Sequence, residues 1–77
     1  MQNNIYKTRD IAEAAALLTC QQRLIKIDKL GNTCIFIFSC IEECEKISND
    51  FYFGTLMVNA RTFYEVYKKL IIKSKHI

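Results

Sequence analysis

Four cysteines, one histidine and eight acids are the residues of this 77-residue chain able to do chemistry, and their spacing limits each of them. Cys20, Cys34, Cys40 and Cys44 contain no paired CxxC of the zinc-binding kind, and the single histidine, His76, stands next to last. Cys40 and Cys44 lie one helical turn apart and would supply two ligands. The simpler expectation is that each cysteine, at an apolar-stripe or element-end position, is a free and buried small hydrophobe in a reducing compartment. Glu42, Glu43 and Glu45 crowd what reads as the first turn of a helix, where the dipole favours acids, and nothing apolar surrounds them to tune a general acid or base. Two glycines in the whole chain leave no phosphate-cradling loop, and no serine, cysteine or histidine is spaced to pair a nucleophile with a base. The expectation is a protein without catalytic residues, metal or cofactor, and so not an enzyme.

Positive charge is the other chemical resource. The net charge of +3 is mild, with its excess in the last ten residues, which does not imply a strong polyanion-binding surface. To contact phosphates, Arg23, Lys26, Lys29, Arg61, Lys68, Lys69 and Lys73 would have to share a face, with exposed aromatics stacking on bases. The plainer account is that Lys68, Lys69, Lys73, Lys75 and His76 complement the dipole at the end of a last helix. The IFIF run has a likeness to the aromatic central strand of single-stranded RNA readers, but the strand register derived below turns Phe36 and Phe38 inward. The opening IYKTRDIAEAAALL is similar to the first helix of small helix-turn-helix regulators, yet only Thr19 to Gln22 separate it from the next strand, too few for a recognition helix.

The element that must position everything else is Arg23 to Ser39, RLIKIDKLGNTCIFIFS, which reads as a β-hairpin turning at Gly31-Asn32, a pair tolerant of positive φ. A two-residue turn sets Leu30 opposite Thr33, Lys29 opposite Cys34, Ile27 opposite Phe36 and Ile25 opposite Phe38, giving one core face. The reverse face then holds Leu24, Lys26, Asp28 and Leu30 against Ser39, Ile37, Ile35 and Thr33. The second strand is apolar on both faces, the pattern of a central strand, so something must cover Ile35 and Ile37.

Before the hairpin, Met1 to Asn4 reads as frayed and Ile5 to Lys7 as a short strand. A helix opens near Thr8 or Asp10, where Asp10 and Glu13 have capping-box spacing, and runs to Cys20 with Ile11, Ala14, Ala15 and Leu18 as its stripe. After the hairpin, Ser39 with Glu42 is a second capping signature, opening a helix from Cys40 to Phe51 that turns Cys40, Cys44, Ile47 and Phe51 inward and Glu42, Glu43, Glu45 and Lys46 outward. Gly54 stops it. Three successive aromatics, Phe51, Tyr52 and Phe53, cannot all point inward, so at least one is exposed. Thr55 to Val58 reads as a last strand or an extended lead-in, and Asn59 caps a helix from Ala60 to about Lys73. The stripe of that helix, Ala60, Phe63, Val66, Tyr67, Leu70 and Ile71, is wide enough to cover one face of the sheet.

Length bounds the rest. A 77-residue chain is one domain and buries only about 60% of the surface that its unfolded form exposes. Yet 51% of its residues are hydrophobic and nine, five Phe and four Tyr, are aromatic, more apolar material than a monomer of this size hides. We expect self-association, as a homodimer or other homo-oligomer, or a partner protein. No leader and no run near the ~20 apolar residues of a membrane span is visible, so a soluble, cytoplasmic protein is expected.

The segments NIYKTRDIAEAAALL, IFIF and FYFGTLMVNARTFYEVYKKL together resemble a family of small prokaryotic and phage-associated domains without an assigned function. Phe53 to Arg61 carries the specific part, with glycine, leucine, valine, asparagine, alanine and arginine at the family's steps. Where members have an acid after the central strand and after the glycine, this chain has Ser39-Cys40 and Thr55. The resemblance implies a compact α+β domain from a mobile element and brings no activity or ligand.

The reading is therefore one α+β domain, ordered β-α-β-β-α-(β)-α, with Thr33 to Phe38 as central strand of a small antiparallel sheet packed by three helices. Its expected role is non-enzymatic: a protein-interaction module, a phage or mobile-element accessory protein binding a partner or itself. Candidate contact residues are Tyr52, Phe53, Tyr64, Tyr67, Ile35 and Ile37. The alternative is a small nucleic-acid-binding regulator that uses the basic residues above.

Overall fold

The computed structural model describes residues 4–76, so the frayed start expected for Met1 to Asn3 lies outside the described residues. The elements are β1 (Ile5–Thr8), α1 (Ile11–Thr19), β2 (Leu24–Leu30), β3 (Thr33–Ser39), α2 (Ile41–Tyr52) and α3 (Ala60–Lys75). The strands form one antiparallel sheet in the order β1-β3-β2, a small α+β fold with β3 in the middle. Thr55 to Val58 is an extended lead-in to α3 and joins no strand.

The hairpin turns where its glycine is. Gly31 takes φ +61°, whereas Asn32 keeps a negative φ, the pattern of a type II′ turn with glycine in its first central place. From there the expected register holds through Lys29↔Cys34, Asp28↔Ile35, Ile27↔Phe36 and Lys26↔Ile37. It then breaks: a bulge between Leu24 and Lys26 places Leu24, not Ile25, opposite Phe38. The extra residue of a bulge reverses which alternate side chains face inward. Ile25, expected in the core, is 49% exposed, and Leu24 packs against the core in its place.

β1 completes the sheet with Tyr6↔Phe38 and Thr8↔Phe36, which sends Tyr6 and Thr8 to the core face and Ile5 and Lys7 to the other. Phe36 and Phe38 are fully enclosed, as their register required, each burial stabilising the fold by about 1.5–3 kcal/mol. They cluster with Ala14, Ala15, Leu17, Cys44 and Leu70, so all three helices contribute to one face of the sheet.

α1 is the centre of the helical layer. Glu13 to Leu17 are buried one after another, a wider burial than the Ile11, Ala14, Ala15, Leu18 stripe anticipates. The reason is that α1 touches β1, α2 and α3 together, and its alanines permit that close approach. The other correction concerns α3. It packs chiefly on α1, meeting the sheet through Leu70 and where Cys34 Sγ lies 3.9 Å from the Ser74 carbonyl, and Ala60 of its expected stripe is exposed. No sheet residue of the far face joins the core cluster. Ile37 is nevertheless only 4% exposed, on the central strand in register between Lys7 and Lys26.

Helix ends are held both locally and across the fold. Asp10 accepts from the Ala12 N–H at 2.9 Å and the Glu13 N–H at 3.4 Å, and Asn59 accepts from the Thr62 N–H at 3.0 Å. The expected Ser39 cap of α2 does not form. Ser39 stays in the sheet, its N–H donating to Arg23 O at 3.1 Å, and Cys40 occupies the cap position at φ +60° without a side-chain bond. Cys40 is consequently exposed instead of inward. Its missing cap is replaced from afar: Asn4 Oδ1 accepts from the Ile41 N–H at 3.2 Å, and Asn4 O accepts from the Cys40 N–H at 3.1 Å. Asn4 is thus tied down, not frayed. At the other end of α2, Gly54 at φ +75° donates to Phe51 O while the Thr55 N–H donates to Asp50 O, a Schellman closure.

Candidate functional site

Two features stand out: a buried carboxylate at the junction of β1, α1 and α2, and an exposed apolar surface that it helps to hold. Glu13 follows its cap Asp10 by three residues, but its side chain does not reach back to the Asp10 N–H, which donates instead to Thr8 Oγ1 at 3.1 Å. The carboxylate is 3% exposed and turns toward hydroxyls. Thr8 Oγ1 donates to Oε1 at 2.6 Å, Tyr52 donates to the same oxygen at 3.1 Å, and the Tyr6 hydroxyl donates to Oε2. Ser48 Oγ lies 3.1 Å from the Tyr6 hydroxyl, and Tyr52 also reaches Asp10 Oδ2 at 3.3 Å.

Tyr6 and Thr8 arrive together because they are two apart on a strand and so share a face. Tyr52 arrives from the last turn of α2. Burial, followed by the hydrogen bond to Glu13, pushes the Tyr6 phenol up. Tyr52 is pushed up to about 12 by desolvation of its hydroxyl and then by the carboxylates of Glu13 and Asp10. Three hydroxyls of the fold thus donate to Glu13, two to Oε1 and one to Oε2. The cluster is an anchor that ties strand to helix to helix.

What the anchor holds is the connection between α2 and α3. Tyr52 is 60% exposed, Phe53 81% and Met57 91%, with Val58 beside them. Phe51 meets Tyr52 edge-on at 5.4 Å. Phe51, Gly54, Leu56 and Val58 line an apolar hollow with Ala16 and Phe63, and Met57 and Val58 border a second, half-polar hollow with Thr19, Cys20, Gln21, Asn59 and Thr62. Two of the three successive aromatics are therefore outward. Met57 and Val58 escape sequence reading because Thr55 to Val58 looks like a strand lead-in, and only the path of the chain shows that they are uncovered.

The remaining candidates do not gather there. Tyr64 lies on the solvent face of α3 with the Lys68 ammonium 5.1 Å from its ring centroid, while Tyr67 is half-buried and stacks on Phe63 at 6.1 Å. Ile35 and Ile37 belong to the far side of the sheet. The basic residues divide as well. Lys26 stands on that far side, 3.6 Å from Asp28, whereas Lys29 pairs with Cys34 on the helical side and Arg61 is 3.6 Å from Glu65. Lys26 and Lys29 therefore stand on opposite faces of the sheet.

The four cysteines are free thiols: Cys44 buried, Cys20 and Cys34 half-buried and Cys40 exposed. Burial pushes the Cys44 thiol up to about 11, with the charges of Cys40, Glu43 and Glu13 adding to it. Among the described residues no group of three His, Cys, Asp or Glu side chains is placed to hold a metal ion. No protein-family model matches this chain, and no curated protein and no solved structure matches it.

Proposed function

We propose that this chain is a non-enzymatic interaction module that contacts another protein chain, a partner or a second copy, through the α2–α3 connection. The observation that carries the reading is the exposure of Phe53 and Met57, at 81% and 91%, next to Tyr52 and Val58. Large apolar side chains left exposed within one short connection of a small domain favour a contact site. Here they are also pre-ordered: the Schellman closure at Gly54 and the bond from Tyr52 to Glu13 remove freedom that binding would otherwise have to remove. The three hydroxyls that donate to Glu13 favour a structural use of this carboxylate. No helix among the described residues is long and apolar enough to cross a membrane. The setting we propose is the cytoplasm of a prokaryotic host, as an accessory of a mobile element, the role implied by the sequence resemblance.

A photo-crosslinking residue at Phe53 tests this, with the same residue at exposed Ile25 as a control. We expect one protein species, or a dimer of the chain, captured at Phe53 and not at Ile25, with capture reduced by Met57→Ser. Equal capture at both positions, or capture of nuclease-sensitive material alone, would overturn the reading. Light scattering separates a second copy from a different partner.

A further inference from the structure

We propose that the hollow between the end of α1, the start of β2 and the second half of α3 docks a peptide segment of a partner protein that presents a bulky apolar side chain flanked by carboxylates. This surface shares no residue with the α2–α3 connection, so the two readings stand or fall separately. Its floor is aliphatic, made by Leu18, Leu24, Val66 and Leu70, and Lys69 and Lys73 stand at its mouth. Leu24 is part of this floor because the β2 bulge turns it inward where the regular register would have put Ile25.

The two lysines give the hollow its preference. They are one helical turn apart, and among the described residues neither has an acid within ion-pair distance. Glu65, one turn before Lys69, is drawn to Arg61. Like charges at this spacing repel, so a neighbouring anion is favoured twice, by attraction and by relief of that repulsion. The apolar floor decides between anions. It offers a nucleic acid no aromatic ring for its bases to stack on. A membrane surface would be met by protruding apolar groups, whereas this surface is concave. A side chain such as Leu or Phe beside Asp or Glu satisfies floor and rim together.

Selection of a random displayed peptide library against the intact chain tests the proposal. We expect recovered peptides enriched in Asp and Glu next to Leu, Ile or Phe. A fluorescein-labelled copy of the commonest should lose about tenfold in affinity for the Lys69→Glu/Lys73→Glu double variant. The Lys68→Glu/Lys75→Glu variant makes the same charge change on the same helix outside the hollow and should keep its affinity. Recovery of no peptide, peptides without acids or equal losses in the two double variants would overturn it. So would tighter binding of a single-stranded oligonucleotide, or of anionic phospholipid vesicles, at Lys69 and Lys73.

Discussion

The Tyr52 hydroxyl donates to Glu13 Oε1 at 3.1 Å across 39 positions of sequence, joining the last turn of α2 to the first turn of α1. Tyr6 and Thr8 of β1 donate to the same carboxylate, so one side chain links three elements.

Removal of that acceptor should be costly. Glu13→Ala leaves the Tyr6 and Thr8 hydroxyls without their partner in a covered site, and we expect about 3 kcal/mol of lost stability in urea unfolding. Tyr52→Phe, which removes one donor at the rim, should cost less than half of that. Similar losses for the two variants would show that the carboxylate is not the hub.

Alkaline pH should act on the same cluster. A phenol whose pKa is higher folded than unfolded holds its proton longer in the folded state. Its contribution to stability is therefore fully present below about 10 and is lost as pH rises toward the folded value, about 12 for Tyr52. Tyr6 shifts in the same direction, and so does the Cys44 thiol, from 9.0 to about 11. Urea midpoints measured from pH 8 upward should fall beyond about pH 9. The fall should be shallower in a Tyr52→Phe/Cys44→Ala variant; an unchanged slope would contradict the assignment.

Cys40 sits at φ +60°, a region that favours glycine, with its thiol in solvent. Cys40→Gly should stabilise the fold by up to about 1 kcal/mol and Cys40→Val should destabilise it by at least as much. Thermal or chemical unfolding of the two variants checks both signs.

The bulge in β2 reverses two expected substitution effects. Ile25→Lys should change stability by less than about 0.5 kcal/mol, whereas Leu24→Ala should cost about 2 kcal/mol. Under an unbroken register the order would be the opposite, so the pair of unfolding curves decides it.

The local grammar of the chain settled much by itself. Alternating apolar residues about Gly31-Asn32 produced the hairpin and enclosed Phe36 and Phe38, and Asp10, Asn59 and Gly54 closed the helix ends they were suited to. These outcomes depend on neighbours within a few residues, which a sequence displays directly. Tertiary structure decided what depends on distant atoms. Ser39 gave up its capping role because the sheet claimed its backbone, and Asn4 supplied the bond. Glu13 left its capping box because Tyr6, Thr8 and Tyr52 converged on it. Phe53 and Met57 stayed outside because no other element of the described fold passes over the α2–α3 connection to cover them.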